Sequence, residues 1–381
     1  MTNPTSNTPP ATNFSHAMLR EIYEQPQALA ATIARYLPDA MEPQEPLGRL
    51  LEIVGERERL VIAASGSSRH AGLAGEIMIE DMAGVPVDVE YASEYTYSSS
   101  HTLHNPGVLV LSQSGETADT LAALRKAQAR NLATIAVTNK ADSTMAREAA
   151  ISLPTLAGVE KAIPATKSFT TQLAVLYCFA LELARFRGTM DEKAAEVNAK
   201  RLREIPGLLQ SALPEWHAKI EALAPELVNS SSFLYLGRGV HYAIAREGAL
   251  KLKESAYLNA EGYPTGELKH GPNALVSQAA PLIMIATVDR ADPDSVLRYS
   301  KVLQLMREMR TQGARIVALA TEGDEEVPRF SEACLFIPAT SDLLATMLEV
   351  VPLQLLAYSM AIARGINPDS PRQLVKAVVQ E

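Results

Sequence analysis

Short hydroxyl side chains concentrate where an apolar run of the chain ends. The segment LSQSGETADT (111–120) completes the run GVLV (107–110) and carries hydroxyls at positions 112, 114, 117 and 120, with no lysine or arginine. Hydroxyl groups donate hydrogen bonds to anions, and the N-terminus of a following helix adds free N–H groups and a positive dipole end. The pattern therefore predicts an anion site, such as a phosphate site, that needs no basic side chain.

Helix capping is the alternative explanation for these hydroxyls. Ser114 or Thr117 as the N-cap of the next helix accounts for one hydroxyl but not for the whole group. A second segment, SGSSR (65–69), also places Ser67 and Ser68 after an apolar run. Neither GxxxxGK[ST] nor a GxGxxG that opens a helix after a strand is present, so the nucleotide-binding signatures are absent.

A charged helix face is the second candidate for chemistry. In EGALKLKE (247–254), Glu247, Lys251 and Glu254 are spaced i, i+4 and i+7, which places them on one face of a helix. A carboxylate is a suitable base for moving a proton between two carbon atoms. A solvated, salt-bridged surface explains the same spacing, and from the spacing alone it is the favoured explanation.

The composition limits what these groups do. The chain has 381 residues, 47% of them hydrophobic and 21% charged, which is enough for two soluble domains. A net charge of −9 and a pI near 5.4 argue against a nucleic-acid-binding surface. No apolar run reaches the about 20 residues of a membrane helix, and the first residues lack a signal-peptide pattern. We therefore expect a cytoplasmic protein without nucleic-acid or membrane partners.

The two cysteines fit the same compartment. Cys178 and Cys334 are far apart in the sequence and both lie in apolar segments. Buried thiols explain this better than a disulfide or a metal site, so we predict neither a metal nor any other cofactor.

Strand-like and helix-like segments alternate along the chain. This alternation predicts an α/β fold with parallel sheets flanked by helices. Related segments such as VIAASGSSRHAG and FLYLGRGVHYA indicate two similar domains. The predicted strands are 60–68, 85–95, 107–117, 131–139, 232–240, 280–289, 314–323 and 333–340, and the predicted helices include 18–37 with a break near Pro26, 72–84, 117–130 and 243–258.

Four units follow from this pattern. Residues 1–17, rich in Thr, Asn and Pro, are predicted to be a disordered tail. The first domain is placed at 18–200 with an N-terminal helical segment, and the second at 201–365. Residues 366–381 form a C-terminal tail. In doubly wound sheets ligands bind beyond the carboxyl ends of the strands, where the hydroxyl-rich segments lie.

Long collinear segments resemble the isomerase half of the glutamine–fructose-6-phosphate aminotransferase family, which contains two flavodoxin-like sugar isomerase (SIS) domains. The resemblance implies a hexose 6-phosphate substrate. It rests on EIYEQP (21–26), LSQSGETADTL (111–121), ATKSFTTQL (165–173), LGRG (236–239), EGALKLKE (247–254), GELKHGP (266–272), VPLQLLAY (351–358) and PRQLVK (371–376).

The resemblance also implies roles for individual residues. Glu254 becomes the base of the isomerisation, Lys251 its electrostatic partner, and Glu247 a residue that positions the helix or the substrate. Ser68 becomes a contact to a sugar hydroxyl. The implied phosphate contacts are Ser67, Ser112, Gln113, Ser114 and Thr117.

Further implied residues lie in loops and in the tail. His270 in ELKHGP becomes the ring-opening acid and base that reaches the site from the neighbouring subunit, which implies a homodimer with a shared active site. Lys376 becomes a substrate contact in a C-terminal tail that closes over the sugar, and Arg372 anchors that tail. Glu160 matches a carboxylate of the substrate site.

Two departures from the family pattern matter. The family's glutaminase domain begins with a catalytic cysteine, whereas this chain begins with Met1 and Thr2, so we expect no glutamine hydrolysis by the chain alone. Pro164 and Ala165 stand where the synthase commonly has a small residue followed by serine. An alanine before Thr166 and Lys167 resembles the stand-alone deaminases of the superfamily.

Three functions are therefore compatible with the sequence. The first is a glucosamine-6-phosphate deaminase of the SIS type. The second is an isomerising aminotransferase that takes ammonia from solution or from a separate glutaminase subunit, which nothing in the sequence indicates. The third is a non-catalytic sugar-phosphate sensor, which is disfavoured because Glu254, His270 and Lys376 are all present.

Overall fold

The computed structural model describes residues 14–37, 47–97 and 105–379. The predicted disordered tail at 1–17 lies almost entirely outside these residues.

The first half of the described chain folds around a parallel sheet with strand order β2-β1-β3-β4-β5. Its strands are β1 (Leu60–Ala64), β2 (Val87–Tyr91), β3 (Gly107–Ser112), β4 (Ala133–Thr138) and β5 (Ile151–Pro154). The accompanying helices are α1 (Ala17–Tyr23), α2 (Gln25–Tyr36), α3 (Leu47–Val54), α4 (Gly66–Ala83), α5 (Ala92–Tyr95), α6 (Ala118–Ala129), α7 (Thr144–Glu148) and α8 (Lys167–Arg187).

The second half repeats this arrangement, with strand order β10-β9-β8-β6-β7. Its strands are β6 (Ser232–Gly237), β7 (Asn259–Pro264), β8 (Leu282–Ala286), β9 (Ile316–Thr321) and β10 (Ala333–Ile337). Its helices are α9 (Glu192–Leu227), α10 (His241–Ala256), α11 (Pro293–Thr311) and α12 (Asp342–Ala363), with short 3₁₀ helices at Thr265–His270, Pro272–Leu275 and Val327–Phe330.

The predicted fold, two parallel sheets flanked by helices, is confirmed. The central strands are apolar runs that helices cover on both faces, as parallel sheets require. Every residue of β1, β3, β8 and β9 is buried. In the first sheet Leu60 of β1 pairs with Val87 of β2 on one side and with Gly107 of β3 on the other, which defines the register of these three strands.

The sequence pattern did not predict β5 or β7 as strands. Both lie at an edge of their sheet. β5 has only four residues and ends in Pro154, and β7 contains Gly262 and two partly exposed residues beside it. Edge strands face solvent on one side and tolerate proline and polar residues, so they lack the apolar run that marks a central strand.

The two domains share a hydrophobic core across their interface, in addition to a smaller cluster within each domain. A single buried cluster includes residues of α4 and α8 from the first domain and of α10 and α12 from the second. Helix α12 is long and apolar enough to cross a membrane by length and composition, contrary to the expectation of no such run, but 94% of its apolar window is buried inside the protein. It is therefore a core helix of the second domain.

A long helix connects the domains. The predicted boundary at residue 200 falls within α9, which has 36 residues and contains Pro206, Pro214 and Pro225. The indole N–H of Trp216 donates a 2.8 Å hydrogen bond to the carbonyl of Phe336, which ties α9 to the strand β10. The two cysteines are free; Cys178 is buried, as predicted, whereas Cys334 is partly exposed.

The segment after α12 returns to the first domain. The carboxylate of Asp369 accepts hydrogen bonds from the backbone N–H groups of Ala17 (2.8 Å) and Met18 (2.7 Å) at the start of α1. The backbone carbonyl of Asp369 accepts from the N–H of Ile163. Asp369 therefore caps a helix that is distant in sequence and holds the C-terminal segment against the first domain.

We expect Asp369→Ala to lower the free energy of unfolding by about 1 to 2 kcal/mol, the usual cost of losing a helix cap. Urea denaturation followed by circular dichroism measures this difference. Asp369→Asn, which keeps one side-chain oxygen as acceptor, is the control and should lose less. Equal stability of the Ala variant and the wild type would contradict the capping role.

Candidate active site

The predicted site residues gather around one cavity at the carboxyl ends of β1 and β3. The cavity has a volume of about 280 Å³. Every predicted site residue lines it except Glu247, His270 and Arg372. The lining residues are Ser65, Gly66, Ser67, Ser68, Leu111, Ser112, Gln113, Ser114, Thr117, Thr120, Glu160, Ile163, Ala165, Lys251, Glu254, Leu374, Val375, Lys376, Ala377 and Val378.

The loop between β3 and α6 forms a cluster of hydroxyls. The Ser112 Oγ lies 2.9 Å from the Thr117 Oγ1 and 3.4 Å from the Ser114 Oγ. The backbone N–H groups of Gly115 and Glu116 donate to the Ser112 and Ser114 hydroxyls, each at 3.2 Å. Thr117 occupies the N-cap position of α6, but its side chain makes no capping hydrogen bond. Capping therefore does not explain these side chains.

Gly115 makes the tight loop possible. Its φ of +65° lies in the left-handed region, and a Cβ at this position would stand only 2.1 Å from the Ser143 Oγ. Any other residue would push the loop away from α7 or distort it. The glycine thus fixes the position of the hydroxyl cluster relative to the cavity.

A buried ammonium group connects the two domains at the cavity wall. The Lys251 Nζ donates to the Ser67 Oγ at 3.0 Å and to the Glu254 Oε2 at 2.5 Å, and it lies 3.4 Å from the Glu247 Oε1. Burial opposes the charge of Lys251, but the carboxylates of Glu247 and Glu254 outweigh it and raise the lysine pKa. Lys251 is therefore held in its charged form. Ser67 belongs to α4 and the charged residues to α10, as their helical spacing predicted.

Glu247 lies behind this lysine and does not line the cavity. Its carboxylate is fully buried and accepts a 2.8 Å hydrogen bond from His70. Burial opposes its ionisation, but the Lys251 ammonium and the His70 contact lower the pKa of Glu247 below its usual value. This places Glu247 in contact with Lys251 rather than with the cavity.

A second ion pair closes the cavity from the C-terminal segment. The Lys376 Nζ donates to the Glu160 Oε2 at 2.5 Å and to the carbonyl of Ala162 at 2.6 Å. Glu160 also accepts from the N–H groups of Thr166 and Ser168 and from the Ser168 hydroxyl. Burial opposes the charge of Glu160, but Lys376 and these donors lower its pKa below the usual value. The backbone carbonyl of Val378 accepts from the N–H of Ala118, the first residue of α6.

Two residues that support the site were not predicted from the sequence. The Gln172 amide on α8 donates a 3.0 Å hydrogen bond to the Ser68 hydroxyl, and Ser168 on the same helix contacts Glu160. Both are polar residues in a helix that is buried along nearly its whole length. Polar residues in such an apolar segment were the signal that could have identified them.

Arg372 and His270 lie outside the cavity. The backbone N–H of Arg372 donates to the Tyr257 hydroxyl, and its guanidinium carbon lies 4.4 Å from the Tyr257 ring centroid. This contact fits a residue that anchors the tail. His270 is exposed at the end of the 3₁₀ helix Thr265–His270 and does not reach the cavity of its own chain. Its action across a dimer stays a prediction.

Within the described ranges, no group of three or more histidine, cysteine, aspartate or glutamate side chains is arranged to hold a metal ion. The arrangement instead offers hydroxyl donors for an anion, and a carboxylate beside an ammonium group for proton transfer.

The sequence matches the family model of the SIS domain twice, at residues 52–182 and 226–364. The first segment contains strands β1 to β5, and the second contains strands β6 to β10. The chain therefore belongs to the SIS-domain family.

Curated relatives match nearly the whole chain. The chain is 41% identical over 371 residues to glutamine–fructose-6-phosphate aminotransferase (isomerising) of Chlorobaculum tepidum, and the match covers 97% of this chain and 59% of that relative. The chain thus spans only part of the length of its curated relatives.

Two solved structures cover nearly the whole chain. The C-terminal domain of glucosamine–fructose-6-phosphate aminotransferase from Francisella tularensis matches with a TM-score of 0.87 and 35% identity, covering 94% of this chain and 99% of that one. Glucosamine-6-phosphate deaminase from Thermotoga maritima matches with a TM-score of 0.72 and 25% identity, covering 96% and 100%. The chain is thus similar both to the C-terminal domain of an aminotransferase and to a deaminase.

The Glu160–Lys376 pair predicts a pH-dependent stability. Because the folded protein lowers the Glu160 pKa from 4.5, this stabilisation is complete above 4.5 and is lost as the pH falls through the lowered value. Burial is the strongest single influence on Glu160, so we expect the Glu160 pKa to rise in Lys376→Met, where the ammonium is lost. We expect a loss of about 1 to 3 kcal/mol of unfolding free energy at neutral pH, as for hydrogen bonds to charged groups.

The stability difference between wild type and Lys376→Met should narrow as the pH falls, because Glu160 becomes protonated. Urea titrations between about pH 7 and about pH 4 measure it. Lys140→Met, at an exposed lysine, is the control and should show no such trend. A difference that stays constant over this range would contradict the ion-pair assignment.

Proposed function

We propose that this chain interconverts glucosamine 6-phosphate and fructose 6-phosphate plus ammonia. The observation that carries the proposal is the Glu254 carboxylate, 2.5 Å from the Lys251 ammonium, in the same cavity as the hydroxyl cluster. A carboxylate serves as the base of an aldose–ketose proton transfer, and hydroxyls with N–H groups serve as the phosphate site. The names of the relatives, an isomerising aminotransferase and a glucosamine-6-phosphate deaminase, support the same substrate class.

Each group has a distinct part in the proposed reaction. Ser112, Ser114 and Thr117 hold the 6-phosphate of the open-chain sugar. Glu254 removes the proton from C2 of the amino aldose and returns it to C1, while one proton of the amine passes to the C1 oxygen. The C2 amine thereby becomes an imine and the C1 aldehyde becomes an alcohol. Water then adds to the C2 imine and releases ammonia, which leaves fructose 6-phosphate. The Lys251 ammonium, 2.5 Å from the Glu254 Oε2, orients the carboxylate for these two proton transfers.

Ala165 supports the deaminase direction. It borders the cavity at the position where the synthase commonly has a serine, so the serine hydroxyl is absent from the sugar pocket. The second candidate function is the isomerising aminotransferase named for the curated relatives, with nitrogen from a glutaminase. The chain covers nearly the whole of both the aminotransferase domain structure and the deaminase structure, so coverage does not distinguish the two functions.

One coupled assay tests the proposal. Incubation of the purified chain with glucosamine 6-phosphate should release ammonia and fructose 6-phosphate in equal amounts. If the chain releases no ammonia, but forms glucosamine 6-phosphate from fructose 6-phosphate and glutamine once a glutaminase is added, the aminotransferase is favoured. Binding of the sugar phosphate without turnover in either assay would favour the sensor.

Glu254→Gln should lower kcat strongly while substrate binding persists, because the amide keeps the shape of the carboxylate but does not act as a base. General-base catalysis contributes about 10² to 10⁴ in rate, so kcat should fall by that factor. Exchange of solvent deuterium into C1 or C2 should disappear with it. Full activity of the variant would exclude Glu254 as the base.

Thr117→Val is the matched comparison for the Glu254 variant. It removes one hydroxyl from the proposed phosphate site and should raise KM more than it lowers kcat. The loss should amount to about 1 to 3 kcal/mol of binding free energy, as for a hydrogen bond to a charged group. An unchanged KM in a folded variant would contradict the phosphate assignment.

We also propose that His270 completes the site of a partner subunit in a homodimer. Its exposed position outside the cavity of its own chain supports this assignment. Mixing inactive Glu254→Gln and inactive His270→Ala chains should then restore part of the activity, because some heterodimers contain one intact site. Absence of any recovery, with subunit exchange verified, would contradict a shared site.

A further inference from the structure

His70 is a buried histidine to which the proposed reaction assigns no role. It lies on α4 in the first domain, and its side chain is only 11% exposed. Its Nδ1 lies 2.8 Å from the Oε2 of Glu247 on α10 in the second domain. An ionised carboxylate accepts hydrogen bonds and donates none, so the Nδ1 must carry the proton in this contact.

The contact determines how Glu247 shares the Lys251 ammonium. One Glu247 oxygen accepts from His70, while the other lies 3.4 Å from the Lys251 Nζ. Lys251 instead donates to Ser67 at 3.0 Å and to Glu254 at 2.5 Å. The lysine is thus closer to the proposed base than to the fully buried carboxylate behind it.

Electrostatics alone would favour the opposite arrangement. A buried carboxylate without a hydrogen-bond donor is costly, so Glu247 attracts the nearest ammonium strongly. His70 satisfies one Glu247 oxygen and so reduces this attraction. The ammonium then remains directed at the cavity.

We propose that His70 is a positioning residue that acts across the domain interface. By donating to Glu247, it holds the Lys251 ammonium on Ser67 and Glu254, and so keeps the proposed base of the second domain aligned with the phosphate site of the first. The proposal rests on the function proposed above. His70 itself does not line the cavity.

Paired variants test the hydrogen bond. Asparagine places an NH₂ donor close to the position of the histidine Nδ1, whereas leucine provides none. His70→Leu should lower kcat for glucosamine 6-phosphate by about 10²-fold, the typical cost of a misplacement of about 1 Å in a catalytic group. KM should change little because the hydroxyl cluster is untouched. His70→Asn should recover most of the rate.

The second domain offers a matched control. His241 is also buried, and its Nδ1 lies 2.8 Å from the Glu349 carboxylate, but neither residue lines the cavity. His241→Asn should therefore leave kcat unchanged. Unchanged kcat in His70→Leu, or equally low kcat in folded His70→Leu and His70→Asn, would overturn the proposal.

Two further measurements keep the test decisive. If His70→Leu does not fold, His70→Gln replaces it, because its amide nitrogen lies near the Nε2 position and should not restore the rate. If the wild type shows no turnover, the proposed function fails, and a crystal structure of the His70 variant decides the positioning role alone. Movement of the Lys251 Nζ from Glu254 towards Glu247 supports the role, and an unchanged position overturns it.

Discussion

The buried Lys251 ammonium is the interaction on which the rest of the site depends. A charge in this position is stable only with partners on several sides, and the chain supplies them from both domains: Ser67 from α4, and Glu247 and Glu254 from α10. These contacts require α4 and α10 to pack closely, and the shared hydrophobic core provides that packing. The cavity is therefore a property of the domain pair rather than of one sheet.

The internal repeat has diverged in its polar residues. At the corresponding edge of the second sheet, the His241 and Thr287 side chains contact the Glu349 carboxylate, and Arg298 forms an ion pair with Asp342. These groups contact one another inside the protein and do not line the cavity. The Glu349 and His241 contacts also hold α12 against α10. The same fold thus supports a polar cavity in the first domain and an internal ion network in the second.

The sequence predicted those features whose residue pattern lies within one segment of the chain. The apolar runs predicted the central strands, and the spacing of Glu247, Lys251 and Glu254 predicted a shared helix face. Contacts between distant segments left no local pattern. The Glu160–Lys376 pair joins residues 216 positions apart, and the His70–Glu247 contact joins two domains, so neither could be derived from spacing. The resemblance to a family pointed to Glu160 and Lys376 but not to His70.

Because the site is divided between two domains, its activity is sensitive to small relative movements of the domains that leave the secondary structure unchanged. A relative shift of α4 and α10 by about 1 Å would separate Glu254 from the hydroxyl cluster while both sheets stay intact. Inactivation and unfolding would then be distinct events. Activity would report the registration of the two domains, whereas circular dichroism would report only the integrity of each. Ligands that bridge the cavity would stabilise the alignment of the two domains more than the secondary structure within each domain.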